Sequence, residues 1–247
     1  IETDARFEDT FGRNLDAYDD YTRKNSLNLY KSWSNFSLNL DALWYDNINA
    51  RRQNVDDTTL QTLPGIHFAA SKQKIGSSGF YYTLDSEYRS FYRKDTTATL
   101  VKGQRADIYP KISRPMRIGK FFYFEPWAGV RQTLWHTPDF TDIHGHSDDF
   151  RTRETYDIGG ELSSKLIRVF DLNNAFADKA KHELVPKLEY LYSPSVSQDD
   201  LPLFDDLDRL AEQNQITWSL TNHFIRRNTR TTPTGETSAV YDEFAYV

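Results

Sequence analysis

Alternation with a period of two residues runs through most of this chain and constrains its fold more than any other feature. Over residues 36–44 the even positions read Phe36, Leu38, Leu40, Ala42 and Trp44, against Ser37, Asn39, Asp41 and Leu43 at the odd ones. Over 80–92, Phe80, Tyr82, Leu84, Tyr88 and Tyr92 face Thr83, Asp85, Glu87 and Arg89. Over 155–166, Tyr156, Ile158, Leu162 and Leu166 alternate with Asp157, Glu161 and Lys165. Over 215–224, Ile216, Trp218, Leu220 and Phe224 alternate with Thr217, Ser219 and Thr221. Residues 25–33, 65–71, 103–114, 121–135 and 182–192 repeat the scheme less cleanly, and 241–247 reads as a further strand. An all-β antiparallel sheet of about ten strands follows.

Gly76-Ser77-Ser78-Gly79 and Ile118-Gly119-Lys120 mark tight turns. The stretches 47–59, 136–149, 193–213 and 228–237 are longer, charged or Pro-containing, so short and long connections alternate as in an up-and-down barrel. Only 201–211 has a helical pattern, read as a short turn of helix within a loop. Pro110, Pro126 and Pro186 fall inside strand segments, and each removes a ladder donor. They mark either local kinks that let a large sheet curve or a wall loosened on purpose.

Composition narrows the environment. Thirty Lys plus Arg against 36 Asp plus Glu give a net charge of −6, which argues against binding to nucleic acid. Mean hydropathy is −0.71, far from that of a helical membrane protein. Aromatic residues make up 15 % of the chain, too many for simple disorder. Cysteine is absent, which removes disulfides and thiolate chemistry. A soluble sandwich shows the same alternation, but three features favour lipid. Strands of about 11 to 15 residues suit a tilted bilayer crossing. Aromatics (Tyr30, Trp33, Trp44, Tyr45, Phe91, Tyr92, Trp135, Tyr190 and Tyr192) cluster near strand ends, where an interfacial girdle would lie. The opposite face carries full charges, expected to line a wet lumen: Asp41, Glu87, Arg89, Arg105, Asp107, Arg131, Glu161, Lys165, Lys187 and Glu189.

Other polar clusters have plainer readings. His144-Gly-His146-Ser-Asp148-Asp149 groups imidazoles and carboxylates in a surface loop, with adventitious metal binding as the expectation. Ser219, Thr221 and His223 share a strand face while Asn222 points the other way, so a hydrolytic site would lack its orienting group. Arg226, Arg227 and Arg230 read as a solvated basic stretch. The first residues, Ile1 to Asp4, show no basic and apolar leader, and 241–247 reads as a strand in progress. Both suggest an interior portion of a longer protein.

Ordered motifs then carry a resemblance. Gly103-Gln-Arg-Ala-Asp-Ile-Tyr-Pro-Lys-Ile-Ser-Arg-Pro115 is followed by Tyr123-Phe-Glu-Pro-Trp-Ala-Gly-Val-Arg-Gln-Thr-Leu-Trp135. His182-Glu-Leu-Val-Pro-Lys-Leu-Glu-Tyr-Leu-Tyr192 is followed by Asp200-Leu-Pro-Leu-Phe-Asp-Asp-Leu-Asp208. Thr62-Leu-Pro-Gly-Ile66 and the run 161–170 add support. This set resembles the LPS-assembly family LptD, and Pro110, Pro115, Pro126, Pro186, Leu201, Pro202, Phe204 and Asp205 are its motif residues here.

The resemblance implies a very large outer-membrane barrel of about 26 strands in a Gram-negative bacterium. All 247 residues would belong to that one barrel domain, without the family's periplasmic jelly-roll domain or its closing strands. It also implies non-catalytic translocation of lipopolysaccharide into the outer leaflet, through the lumen and a lateral gate. An LptE-like lipoprotein plug and, through the jelly-roll domain, an LptA-like periplasmic bridge would be partners. No cofactor is implied, although the acidic run 199–208 leaves divalent bridging to lipopolysaccharide phosphates open. A porin or ligand-gated channel and, further off, a barrel lipase remain as alternatives.

Overall fold

The computed structural model describes residues 22–94, 100–174, 176–231 and 236–247. Twelve strands form one sheet: β1 (Thr22–Ser32), β2 (Phe36–Asn47), β3 (Gln61–Lys74), β4 (Tyr81–Lys94), β5 (Leu100–Ser113), β6 (Met116–Ile118), β7 (Phe122–His136), β8 (Phe150–Ser164), β9 (Leu166–Asp171), β10 (Lys179–Ser193), β11 (Gln213–Thr231) and β12 (Thr237–Tyr246). The main path has ten strands, β1-β2-β3-β4-β5-β7-β8-β10-β11-β12, with β6 on β7 and β9 on β10. Consecutive neighbours along it are joined by hydrogen bonds, as in a meander. Among the described residues no helix is long and apolar enough to cross a membrane.

The chain falls into two compact units. The first comprises residues 22–112, 129–156 and 194–212 of the described chain. Register sorts its side chains into two sets. Leu40 lies opposite Ile66 and Leu38 opposite Phe68 on one face, and Phe36 stacks on Phe68 with centroids 5.9 Å apart. On the other face Asp41 lies opposite Gly65, itself opposite Arg89. A Cβ on Gly65 would come within 2.7 Å of the Asp41 carboxylate, so the glycine makes room for the Asp41–Arg89 approach of 3.8 Å.

Burial is inverted relative to a soluble domain. The most deeply buried side chains include Arg105, Asp107, Thr133 and Asp208 together with Trp135 and Phe91, all on or against the charged face. Leu27, Leu29, Leu40, Ile66 and Val130 of the apolar set are exposed. No second layer covers the apolar face among the described residues.

The second unit comprises 113–128, 157–193 and 213–247. It shows the same inversion, with Trp218 74 % exposed beside exposed Ile216, Leu220 and Leu188. β10 pairs with β9 as far as Leu184 and with β8 from Lys187. Val185 and Pro186 fall in the interval, and Lys165 separates β8 from β9 opposite them. The missing proline N–H explains the break. Arg114 and Pro115 likewise part β5 from β6, and Arg114 N–H donates to the Pro126 carbonyl at 3.1 Å. These two breaks raise the strand number from the expected ten to twelve. Pro110 interrupts nothing within β5.

The short turn of helix expected within 201–211 is a single 3-10 turn, Asp206–Asp208, its backbone held by side chains described below. Two local expectations need correction. β11 runs on to Thr231, so the connection expected over 228–237 is much shorter. A six-residue helix, α1 (Ile48–Gln53), stands in the 47–59 loop, where no helix was expected. The Asn47 side chain accepts from Ala50 N–H, and Asn54 closes the helix with φ at 53°.

Candidate functional site

The site is the charged face of the first unit with the connection Pro194–Glu212 docked upon it. Its loop half organises itself first. The Asp205 side chain caps the 3-10 turn by accepting from Leu207 N–H at 3.0 Å. Asp208 returns the bond by accepting from Asp205 N–H at 3.0 Å and Phe204 N–H at 2.6 Å. Gln198 spans the loop, donating to the Leu210 carbonyl and accepting from Leu210 N–H. Arg209 donates to the carbonyls of Leu201 and Pro202, both buried.

Arg105 on β5 joins loop to sheet. It donates through both Nη atoms to the two Asp205 oxygens at 2.5 and 2.8 Å, to Asp208 Oδ1 at 2.8 Å and to Glu87 Oε1 at 2.8 Å. This two-pronged geometry is specific to guanidinium. Asp208, fully buried, also accepts from Trp135 Nε1 at 2.9 Å. Its carboxylate therefore meets four donors, which is what a charge out of water requires. Arg153 on β8 completes the frame, donating to the Leu207 carbonyl at 2.8 Å, Thr133 Oγ1 at 3.0 Å and Gln198 Oε1 at 2.8 Å. Thr133 in turn donates to Asp107 at 2.7 Å.

Apolar contacts lie beneath the charges. Phe204 stacks on Phe91 with centroids 4.5 Å apart and planes at 5°. Gly103 supplies the floor, since a Cβ there would lie 2.2 Å from Phe204 Cζ.

Of the charged residues expected along one face, Asp41, Glu87, Arg89, Arg105, Asp107 and Arg131 do come together here. Arg89 pairs with Glu87 at 2.8 Å and Arg131 with Asp107 at 3.2 Å. Glu161, Lys165, Lys187 and Glu189 form a separate set in the second unit. Lys187 bridges Glu161 at 3.2 Å and Glu189 at 2.8 Å, while Lys165 pairs with Glu183. Of the motif residues, Asp205 and Phe204 make the dock and Leu201 and Pro202 lie buried behind it. Pro115, Pro126 and Pro186 stand at the ladder breaks.

Several residues escaped the sequence reading: Asp208, Arg153, Thr133 and Gln198. The acidic pair three apart, Asp205 and Asp208, is a capping-box spacing that could have flagged the turn. Trp135 and Phe91 were expected in an interfacial girdle. They are 1 % and 2 % exposed on the charged face, because the docked loop covers them. Trp135 shares strand parity with Arg131, and that placed it correctly all along.

The other clusters have different partners. Ser219 and His223 are four residues apart on extended β11, and His223 instead bonds Glu243 at 2.8 Å. Asn222, on the other face, bonds His182 at 2.9 Å. Among the described residues no group of three or more His, Asp or Glu side chains could hold a metal. His144 faces Asp200 at 3.3 Å, linking the 137–149 loop to the docked one.

Asp142 organises that 137–149 loop. It accepts from His144 N–H at 2.9 Å and His146 N–H at 2.8 Å, around Gly145 at a φ of 84°. Burial pushes its carboxyl up, but these bonds and the His146 ring outweigh that and hold it below the ordinary Asp value of 3.8. A lowered folded pKa means the contribution is complete above the ordinary value and is lost as pH falls through the lower one. Protection against hydrogen exchange over 137–149, relative to the intrinsic rate at each pH, is therefore expected to hold at neutral pH and to fall below about pH 4. An Asp142→Asn variant keeps the acceptor and loses the pH response. Equal acid sensitivity in both proteins would refute the assignment.

Comparison with known proteins fits this geometry. A relative from Methylococcus capsulatus, called LPS-assembly protein LptD, is 29 % identical over 231 residues, covering 86 % of this chain and 20 % of the relative. Proteins of the same name from Alkalilimnicola ehrlichii (28 % identical, 58 % of this chain and 21 % of the relative) and Burkholderia thailandensis (29 %, 66 % and 22 %) also match. The chain thus spans about a fifth of the length of these relatives. The family model described as LPS transport system D matches residues 2–237, nearly the whole of it, and the chain belongs to that LptD family.

Proposed function

We propose that this segment is a stretch of the wall of a single, larger outer-membrane β-barrel in a Gram-negative bacterium, one that passes lipopolysaccharide to the outer leaflet. The observation that carries the reading is the inverted burial: charged side chains are buried or face a polar network, while the large apolar ones are exposed. In water such a surface would aggregate, whereas in a bilayer it meets acyl chains. An amphiphile with a polyanionic, sugar-rich head needs this division, since its head must travel in water while its tails stay in hydrocarbon.

The charged face offers many paired hydrogen-bonding groups and no single tight site, as suits passage. No bond is broken in this step, and the energy comes from elsewhere in the transport chain. A lateral gate, an LptE-like plug and an LptA-like bridge belong to the same reading, as partners of the whole protein. The docked connection 194–212 covers the charged face of the first unit at the long-loop end, which in such barrels faces outward. That connection commits Asp205 and Asp208 to Arg105, which leaves the exposed Asp199, Asp200 and Asp206 of the acidic run 199–208 for bridging cations.

Photo-crosslinking residues placed at Arg89 and Glu161 of the full-length protein in cells test the reading. Lipopolysaccharide adducts are expected at both positions. Ion conductance in planar bilayers with no adduct at either would instead make the barrel a porin.

A further inference from the structure

Strand β9 lies in the second unit and pairs with β10 alone. Among the described residues no strand meets its other edge. Chain order explains why. β7 is the neighbour of β8 on that side, and Ser164 Oγ, at the end of β8, donates to the Phe121 carbonyl at 2.8 Å. There the chain turns through Gly119 at a φ of 60°, and β6 folds onto β7 with Ile118 opposite Phe122. β9 therefore runs on past the β6–β7 turn. Because β7 precedes β8 directly, no other strand of the wall can come between them.

The sequence of this edge is that of a covered strand. Leu166 and Phe170 stand on one face and Ile167 and Val169 on the other, and all four are exposed. Apolar residues on both faces mark strands enclosed by neighbours. Natural edges are blunted by proline, a bulge or free charge. β9 has no proline, and its register with β10 is unbroken from Leu166 to Asp171. Its two charges are engaged, Arg168 over the Phe170 ring at 4.9 Å and Asp171 with Lys179 at 2.7 Å. The hairpin that carries the edge is also braced. Asp178 accepts from Thr229 N–H at 2.6 Å, and Asn174 accepts from Phe176 and Ala177 N–H at 3.0 and 3.1 Å.

What completes such an edge follows from its chemistry. Every second residue of β9 turns its N–H and C=O away from β10. Acyl chains cannot make these bonds, whereas an extended backbone matches them in kind and spacing. The 15 residues of β8, at about 3.3 Å each and a tilt of about 40°, rise about 38 Å. That exceeds the apolar band of such a wall, about 25 Å tall. Exposed Phe121, Phe122 and Tyr123 lie where β7 leaves that band, as an interfacial girdle would. β9 then stands in water at the short-turn rim. A second copy does not fit there, because antiparallel pairing of two β9 edges would set one barrel upside down in the membrane. We propose that β9 accepts an added β-strand from a different protein on the short-turn side, by backbone pairing flanked by apolar side chains. This inference rests on the membrane placement proposed above.

The test places a photo-crosslinking phenylalanine analogue singly at Ile167 and Val169 of the full-length protein in cells, with Leu188 as a control on the apolar face. Adducts at 167 and 169 are expected on one segment of one other protein, with attachment points about two residues apart, the step of paired strands. Leu188 is expected to give no protein adduct. Leu166→Lys/Phe170→Lys should lower both adducts about tenfold, since two apolar cross-strand pairs are lost. Unchanged heat-modifiable mobility confirms that the variants fold. In micelles the probe is a peptide copying Lys179–Val185, from the strand with which β9 already pairs. It should slow exchange of the β9 amides, and the same peptide N-methylated throughout should not. Equal exchange with the two peptides, or attachment points without that step, would overturn strand addition. So would no adduct at all, or adducts confined to lipid, to a second copy or to another segment of the same chain. If lipopolysaccharide adducts persist at Arg89 and Glu161, the transport reading survives that result. Loss of those adducts too would overturn both.

Discussion

Asp208→Ala frees the connection 194–212 from the sheet. The substitution strips acceptors from Arg105, Trp135 Nε1, Phe204 N–H and Asp205 N–H together. Breaking a buried, hydrogen-bonded charge pair costs about 3–5 kcal/mol, and orphaned buried donors add to that. Arg105 keeps Asp205 and Glu87 as partners, while the 3-10 turn loses its box. The sensitive readout is tryptic cleavage after Arg209, whose guanidinium is now engaged with Leu201 and Pro202 carbonyls. If cleavage follows the open population, about 3–5 kcal/mol raises its rate more than a hundredfold. Asp208→Asn, which keeps one acceptor oxygen, should fall between. Protection equal to that of the unsubstituted protein would show that the loop is held by something other than this carboxylate. Loss of folding altogether would show instead as the disappearance of heat-modifiable mobility.

The second large effect is steric and needs two positions to interpret. Gly103→Ala places a methyl group 2.2 Å from Phe204 Cζ, so the ring must shift from its stack on Phe91. Overpacking of this kind costs about 1–3 kcal/mol. Phe204→Ala alone gives up the stacking on Phe91 and costs about 2–3 kcal/mol, less than for a fully buried ring. Together the two should be far less than additive, because the alanine ring-space is empty once Phe204 is gone. The Gly103→Ala step in the Phe204→Ala background is then nearly neutral, a coupling within the range seen for contacting residues. Trypsin protection of the loop and thermal unfolding of the full-length protein in micelles both report it. Strict additivity would mean that the glycine serves the backbone of β5 rather than the ring above it.

Much of the architecture was legible without coordinates. The ten-strand path and the face on which Asp41, Glu87, Arg89, Arg105, Asp107 and Arg131 stand follow from alternation alone. The prolines announced where the ladder breaks, since Pro186 and Pro115 lack the N–H that a continuous strand would use. The short turn of helix read within 201–211 is present as one 3-10 turn, which bonds from Asp205, Asp208, Arg153 and Arg209 hold tight. The failures are equally instructive. Helix α1 went unseen because six residues are too few to show a 3.6-residue period. Phe91 and Trp135 were assigned to a girdle by their place near strand ends, although their parity put them on the charged face.

By itself the sequence determined the strands, their two faces and the family, because side-chain alternation is a property of each extended backbone and needs no distant partner. Only the tertiary structure decided which charged residues are buried and what buries them. Arg105 meets Asp205 and Asp208 across about a hundred residues of chain, and no local period encodes such a meeting. It arises because a turn that closes on its own carboxylates presents them, already aligned, to the Arg105 guanidinium, while Gly103 leaves room for the Phe204 ring beside them.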